Sequence, residues 1–169
     1  MLGPTADEPD TSSAALLTAI SAAEFAAGRR LIEAYAAHLG VDLCFQGFDA
    51  ELVDLPGMYG PPSGCLILGR RNGEFVGCGG LRRASAELCE MKRLYVDPGM
   101  RGTGLGRRIA VTLIERARTL GYGRMVLDTL PHMVSARGLY ESLGFRPTDP
   151  YYRNPLPGVL YLSLDLAGC

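Results

Sequence analysis

A strand, a glycine-rich turn and a helix follow one another at residues 94–121, and this succession constrains the fold more than any other feature. The strand pattern ends at Asp97-Pro98-Gly99, because proline removes a ladder donor and glycine permits a turn. The alternating glycines Gly102, Gly104 and Gly106 then lead into an amphipathic helix pattern. The first N–H groups of a helix lack intrahelical partners and lie at the positive end of its dipole. The pattern therefore predicts a turn that binds phosphate.

Two other kinds of glycine loop fit the sequence less well. A Walker loop requires Gly-Lys-Ser/Thr after its glycines, and none follows here. A dinucleotide fingerprint that begins at Gly102 would need its third glycine at Arg107, although Asp128 lies at a suitable distance downstream. A nicotinamide or flavin protein is therefore the weaker alternative.

The hexamer Arg101-Gly102-Thr103-Gly104-Leu105-Gly106 resembles the Arg/Gln-x-x-Gly-x-Gly/Ala signature of the GCN5-related N-acetyltransferase (GNAT) family. Residues 90–96 resemble the strand that precedes this signature. Residues 136–145, Ala-Arg-Gly-Leu-Tyr-Glu-Ser-Leu-Gly-Phe, are similar to the second motif of the family. The resemblance implies an N-acetyltransferase that uses acetyl-CoA as acyl donor and an amine of a small molecule or peptide as acceptor. The alternative is a regulatory module that binds acyl-CoA without transferring the acyl group.

The resemblance also implies which residues bind the cofactor. The strand end would expose backbone groups to the pantetheine arm and the thioester, and the glycine turn would hold the pyrophosphate. Met133 stands where the family often has asparagine, and Ser135 is a partial replacement. The implied cofactor-binding residues are Leu94, Tyr95, Val96, Arg101, Gly102, Thr103, Gly104, Leu105, Gly106, Arg107 and Ser135.

Two residues are the predicted catalytic groups. An alkyl amine has a pKa of about 10.4, so it needs a base at neutral pH. Glu90 matches the position of a general-base glutamate in some family members, but it could instead pair across strands with Arg82 or Arg83. Tyr140 matches a tyrosine that protonates the departing CoA thiolate, but it could instead pack against Phe145.

Composition and charge indicate a single ordinary domain. The chain has 169 residues, 47% of them hydrophobic, which is enough for a substantial core. The formal net charge of −1 gives no indication of nucleic acid or membrane binding, and we leave a homodimer open. Five cysteines with neither a C-x-x-C motif nor a histidine pair predict buried thiols, no metal site and a cytoplasmic location. We expect a flexible leader at residues 1–13 and one N-acetyltransferase domain at residues 14–169.

Hydrophobic periodicity predicts an α/β fold with a mixed, mostly antiparallel central sheet flanked by helices. Asn72-Gly73 predicts a hairpin, and the strand after that hairpin makes an antiparallel meander. One short helix is expected within residues 45–62, and the loop at residues 150–158 could either wall the acceptor site or plug the end of the sheet. Strands are predicted at 14–20, 64–70, 74–82, 86–96, 124–128 and 159–166, and long helices at 22–38, 105–120 and 131–143.

Overall fold

The computed structural model describes residues 13–168, so the predicted leader lies outside the described residues except for Ser13. The strands are β1 (Ala15–Thr18), β2 (Cys65–Arg71), β3 (Glu74–Arg83), β4 (Leu88–Val96), β5 (Arg124–Thr129), β6 (Arg146–Pro147) and β7 (Leu160–Asp165). The α-helices are α1 (Ala22–Leu39), α2 (Phe48–Val53), α3 (Leu55–Tyr59), α4 (Leu105–Thr119) and α5 (Val134–Ser142).

The strands form one sheet in the order β1-β2-β3-β4-β5-β7-β6. Strands β4 and β5 run parallel, and every other neighbouring pair within the described part of the chain is antiparallel. The predicted mixed, mostly antiparallel sheet is therefore confirmed. At the predicted hairpin, Asn72 and Gly73 both have positive φ, 50° and 80°, which is the geometry of a two-residue turn that matches strand twist.

The segment between α1 and β2 differs from its prediction. Instead of one short helix it contains a 3-10 turn at Cys44–Gln46 followed by α2 and α3. Gly47 adopts a left-handed conformation that ends the 3-10 turn. The Asp54 side chain accepts a hydrogen bond from Gly57 N and so begins α3 as a separate helix. Local caps therefore divide a stretch that the apolar pattern alone treated as one helix.

Helices cover both faces of the sheet and form two apolar layers. On one face, α4 and α5 pack on the strands, and the spacing of Leu105, Ile109 and Leu113 places these side chains in the core. On the other face, α1 and α3 bury Leu31, Ile32 and neighbouring side chains against the sheet. Strand β4 lies between the two layers in the middle of the sheet, so each of its residues faces one layer or the other.

Strand β4 contains a bulge at Arg93. Along β3, Cys78 pairs with Tyr95 and Gly80 pairs with Lys92, so one β3 residue lies opposite two β4 residues. Arg93 has a φ of 59°, which is unusual for a residue other than glycine. Its guanidinium makes two hydrogen bonds to Glu51 of α2, 2.9 and 2.7 Å long, and both side chains are almost fully buried.

The bulge changes which face of the sheet the end of β4 presents. Regular alternation would place Glu90, Lys92 and Leu94 on one face, but Leu94 packs instead with Met91 in the layer of α4. Strand β4 pairs with β5 only from Leu88 to Glu90, and the two strands separate beyond that point. The extra residue therefore opens a gap between two central strands.

The ion pair between Arg93 and Glu51 should be a large contributor to the stability of this arrangement. Burial opposes ionisation of Glu51, but hydrogen bonds from Arg93 and its charge keep the pKa of Glu51 below the usual value. We expect Glu51→Gln to lower the free energy of unfolding by about 3 to 5 kcal/mol, because it leaves the buried Arg93 charge without a counter-charge. Urea unfolding of the variant and the wild type measures this difference.

Glu33→Gln is the matched control. It breaks the ion pair between Arg29 and Glu33, whose side chains are 51% and 46% exposed, and it should change stability by less than about 1 kcal/mol. If both substitutions changed the free energy of unfolding by the same small amount, the buried charge of Arg93 would not need Glu51 as its counter-charge.

Candidate active site

A cleft of about 550 Å³ opens where β4 separates from β5. Its walls are the end of β4, the start of α4, the start of α5 and the last turn of α1. Ten of the eleven predicted cofactor-binding residues line it, namely Leu94, Tyr95, Val96, Arg101, Gly102, Gly104, Leu105, Gly106, Arg107 and Ser135. The eleventh, Thr103, lies outside the lining, and its hydroxyl donates a hydrogen bond of 2.6 Å to the Met100 carbonyl.

The N-terminus of α4 offers unpaired N–H groups to this cleft. Gly104 precedes the helix with a φ of 82° and no side-chain cap. The first intrahelical bond is donated by Arg108 N to Gly104 O, so within residues 13–168 the N–H groups of Leu105, Gly106 and Arg107 have no backbone acceptor. A Cβ built at Gly104 would meet nothing within 4 Å, so the space in front of these donors is open. Donors, dipole and space together fit a pyrophosphate.

The end of β4 offers a further donor. Asp97 N donates to Val76 O on β3 over 2.9 Å. Because successive N–H groups of a strand point in opposite directions, the N–H of Val96 points away from β3, towards the gap beside β5. The carbonyl of Val96 accepts a hydrogen bond of 3.3 Å from Arg101, which also contacts His38 at the end of α1. His132, which precedes α5, lines the same cleft.

A smaller inner pocket of about 40 Å³ adjoins the cleft. The two cavities share Tyr35, Leu39, Leu94 and Met133, so they lie next to each other. The remaining lining residues of the inner pocket are Leu43, Gln46, Met91, Lys92, Arg93, Asp128, Thr129, Leu130, Tyr140, Asn154 and Leu156.

Tyr140 lines the inner pocket from α5. Its ring packs edge-on against Phe145 with centroids 5.8 Å apart, so the packing contact considered as an alternative is present. Within the described residues its hydroxyl has no hydrogen-bond partner, and it therefore remains available to a ligand. Burial raises the pKa of Tyr140 above its ordinary value, so the phenol is protonated at neutral pH.

Glu90 lies beside the inner pocket but lines neither cavity. Its side chain is buried, and one oxygen, Oε2, accepts two contacts of 2.7 Å from Arg82. The other oxygen, Oε1, accepts a hydrogen bond of 2.8 Å from Tyr151. The cross-strand pair with Arg82 is thus present, and the role of Glu90 as a base stays a prediction.

Two charged residues of the inner pocket were not predicted to act there. Lys92 on β4 is 6% exposed, and its closest acceptors are Gln46 Oε1 at 3.4 Å and Glu90 Oε1 at 3.9 Å. Asp128 on β5 accepts hydrogen bonds at Oδ2 from Tyr152 and from Asn154 Nδ2, while Oδ1 has no donor within residues 13–168. The alternation of Glu90 and Lys92 with apolar residues was the available signal, but it is also typical of an exposed strand face.

The loop at residues 150–158 forms part of the wall of the inner pocket. Asn154 and Leu156 line the pocket directly. Tyr151 and Tyr152 attach the loop to Glu90 and Asp128. Of the two alternatives left open for this loop, the structure shows the one in which it walls a cavity.

Comparison with known proteins agrees with the geometry. The Acetyltransferase (GNAT) family matches residues 42–145, which is more than half of the chain. The chain belongs to the GNAT family of acetyltransferases. It is 41% identical over 141 residues to an uncharacterized N-acetyltransferase of Schizosaccharomyces pombe, covering 82% of this chain and 86% of the relative. It is also 32% identical over 117 residues to the N-acetylaspartate synthetase of Danio rerio, covering 68% of this chain and 42% of that protein.

The fold of this GNAT chain also matches solved structures. An acetyltransferase from Salmonella typhimurium, determined with its cofactor acetyl-CoA, superposes with a TM-score of 0.67 at 22% identity over 91% of this chain and 94% of that one. The predicted family and fold class are therefore confirmed. Acetyl transfer from acetyl-CoA is the general reaction of the family.

The remaining expectations concern cysteines, metals and membranes. Cys65, Cys78 and Cys89 are buried free thiols, but Cys44 is exposed, so the expectation that it is buried is wrong; Cys169 lies outside the described residues. In the part of the chain that the structure describes, no group of three or more histidine, cysteine or acidic side chains could hold a metal ion. No helix within that part is long and apolar enough to cross a membrane.

The buried charge of Lys92 should reduce stability at neutral pH. Burial lowers the pKa of Lys92 from 10.5 to about 8; Glu90 opposes this effect, while Arg93 and Arg82 add to it. This difference in pKa corresponds to about 3 kcal/mol of folding stability. The protein loses all of it below pH 8 and regains it as the pH rises towards 10.5. We therefore expect Lys92→Met to be more stable than the wild type at pH 7, and this gain to shrink by more than half at pH 9.5.

Urea unfolding of both proteins at the two pH values measures the gain. Thiols and tyrosines that titrate in the same range are present in both proteins, so the difference isolates Lys92. A variant that is less stable than the wild type at pH 7 would contradict the burial penalty.

Proposed function

We propose that this protein transfers an acetyl group from acetyl-CoA directly to an amine. The observation that carries the proposal is the junction of two cavities at the gap between β4 and β5. The outer cleft presents the free N–H groups of α4, and the inner pocket presents Tyr140. A donor bound along the cleft would place its reactive end at the inner pocket. We place this reaction in the cytoplasm, which the free thiols support.

Acetyl-CoA supplies an acetyl group already activated on sulfur. In this chain the N–H groups at the start of α4 would hold the pyrophosphate, with positive charge added by Arg101 and Arg107. The N–H of Val96 would donate to the acetyl carbonyl, where negative charge develops during transfer. The solved Salmonella structure, which shares this fold, was determined with acetyl-CoA, and this supports acetyl-CoA as the donor.

The acceptor would enter the inner pocket as a neutral amine. The reaction forms a carbon–nitrogen bond and breaks the carbon–sulfur bond, while one proton leaves the amine and one returns to sulfur. A protonated amine has no lone pair, so a group in the pocket must accept a proton. The reacting end of the acceptor must be small, because the inner pocket measures about 40 Å³.

Two carboxylates are candidates for the proton acceptor. Glu90 is the residue that the resemblance implies, but Arg82 and Tyr151 occupy its oxygens and it lines neither cavity. Asp128 lines the inner pocket and has one oxygen, Oδ1, without a donor among the described residues. The geometry favours Asp128 as the direct base. Glu90 would act indirectly, through its contacts with the charged side chains of Arg82 and Lys92.

Tyr140 would assist the leaving thiolate. Its pKa lies above 10, whereas that of a thiol is about 8.5, so complete proton transfer to sulfur is uphill by at least about 2 kcal/mol. A hydrogen bond to the sulfur needs no such transfer and stabilises the developing charge. We therefore assign Tyr140 as the donor to the leaving sulfur, with the final proton supplied from the amine.

A pair of substitutions at Gly104 tests the donor site. We expect Gly104→Asp to weaken acetyl-CoA binding by at least about tenfold more than Gly104→Asn does, because only aspartate adds a negative charge facing the pyrophosphate. Both residues tolerate the φ of 82°, and both have the same open space for their Cβ. Calorimetric titration with acetyl-CoA measures both affinities, with NADH as control ligand. Failure of the folded wild type to bind acetyl-CoA, or equal effects of the two substitutions, would refute the site.

Three isosteric substitutions test the catalytic assignments. We expect Tyr140→Phe to lower kcat by about tenfold to a hundredfold and Asp128→Asn to lower kcat/KM by about a hundredfold or more. Glu90→Gln should lower kcat/KM less than Asp128→Asn does, because Glu90 lines neither cavity and would not contact the amine. CoA release with a panel of amines measures the rates, and calorimetry checks that each variant still binds acetyl-CoA.

The order of the effects decides between the two carboxylates. If Glu90→Gln lowered kcat/KM more than Asp128→Asn did, Glu90 rather than Asp128 would be the base. Saturable acetyl-CoA binding without CoA release for any amine would favour a binding module over a transferase.

A further inference from the structure

The inner pocket contains two opposite charges that the protein does not fully pair. Among the six charged side chains around the pocket, Arg93 is paired with Glu51 and Arg82 with Glu90, each with contacts of 2.7 Å. Lys92 and Asp128 are left over. The ammonium of Lys92 has only long contacts, 3.4 Å to Gln46 and 3.9 Å to Glu90, although the residue is 94% buried.

The sheet register places these two charges opposite each other. The last parallel pair between β4 and β5 is Glu90 with Val126. Lys92 and Asp128 lie two residues further along each strand, so they stand on opposite sides of the gap. Gln46, Tyr152 and Asn154 bridge the space between them at one side through hydrogen bonds of 2.9 to 3.4 Å, which helps to hold both side chains in place.

We infer that the acceptor is a small free α-amino acid, whose carboxylate binds Lys92 and whose amine faces Asp128. This inference rests on the proposed acetyl transfer and specifies its acceptor. A buried ammonium with unsatisfied donors favours a carboxylate, and a carboxylate with a free oxygen favours an ammonium that it can deprotonate. An α-amino acid carries both groups on one carbon, which matches two charges on either side of a narrow gap.

Other classes of amine fit this pocket less well. A polyamine or an amino sugar would bring positive charge to Lys92 without a carboxylate to compensate it. The N-terminus of a peptide has an amide where a free amino acid has its carboxylate, and the inner pocket of about 40 Å³ leaves little room for a continuing chain. The position of Lys92 therefore discriminates among acceptors as well as attracting one.

The test compares acids with their neutral analogues. The twenty standard amino acids are screened by CoA release, and the best acceptor is compared with its α-carboxamide and with the amine that lacks the carboxylate. We expect kcat/KM to be about tenfold to a hundredfold higher for the acid. The amine of a carboxamide is less basic, so its larger neutral fraction works against this preference. Equal or better turnover of the carboxamide would overturn the inference.

Two substitutions assign the preference to Lys92. We expect Lys92→Met to reduce the acid-to-carboxamide ratio to within about twofold, whereas Lys92→Arg, which keeps the charge, should retain a preference for the acid. Calorimetry with acetyl-CoA confirms that each variant keeps the donor site. An unchanged ratio in Lys92→Met would overturn the assignment, and the comparison in the wild type stands even if a variant does not fold.

A binding measurement separates failure of this inference from failure of the transferase proposal. Wild type and Lys92→Met, each saturated with CoA, are titrated with the same amino acids. Binding that depends on Lys92 without any turnover would uphold the amino-acid site and refute acetyl transfer. Turnover of other amines, with no amino acid bound or acetylated, would uphold acetyl transfer and overturn the amino-acid site.

Discussion

The bulge at Arg93 is the feature on which the rest of the site depends. A left-handed conformation at a residue other than glycine costs about 1 to 3 kcal/mol, so the surrounding structure must hold it in place. The paired hydrogen bonds from Arg93 to Glu51 do so, and Tyr59 adds a hydrogen bond of 2.7 Å to the same carboxylate. The helices between α1 and β2 thus act through one ion pair to fix the shape of the central strand.

That shape gives the two halves of β4 different tasks. Before the bulge, Glu90 and Lys92 face the loop at residues 150–158 and the end of α1, which form the proposed acceptor side. After it, Leu94 and Val96 face α4 and line the donor cleft. One inserted residue therefore brings the outer cleft and the inner pocket together at the same strand. A regular strand would keep its pairing with β5 and leave no gap for either ligand.

Sequence reasoning succeeded where structure follows from local chemistry. The Asn72-Gly73 turn and the glycines before α4 each need only their immediate neighbours to adopt their conformation. It did not identify Lys92 or Asp128 as pocket residues, because a polar residue in a strand pattern usually faces solvent. The pocket around them is closed in part by the loop from residues 150–158, which is attached to Glu90 across 61 positions of sequence. Such long-range closure leaves no periodic signal.

The family match covers residues 42–145, and the residues around the two cavities lie partly inside and partly outside this range. Residues 42–145 include the donor cleft around α4, the bulge, and both pocket charges, Lys92 and Asp128. Tyr35 and Leu39 of α1 and Asn154 and Leu156 of the loop lie outside that range, yet they close the inner pocket. The residues proposed to bind the donor therefore all lie in the matched region, while segments on either side of it help to close the inner pocket and limit the size and shape of the proposed acceptor. Proteins that share the matched region can thus use the same donor and still differ in the amine they accept.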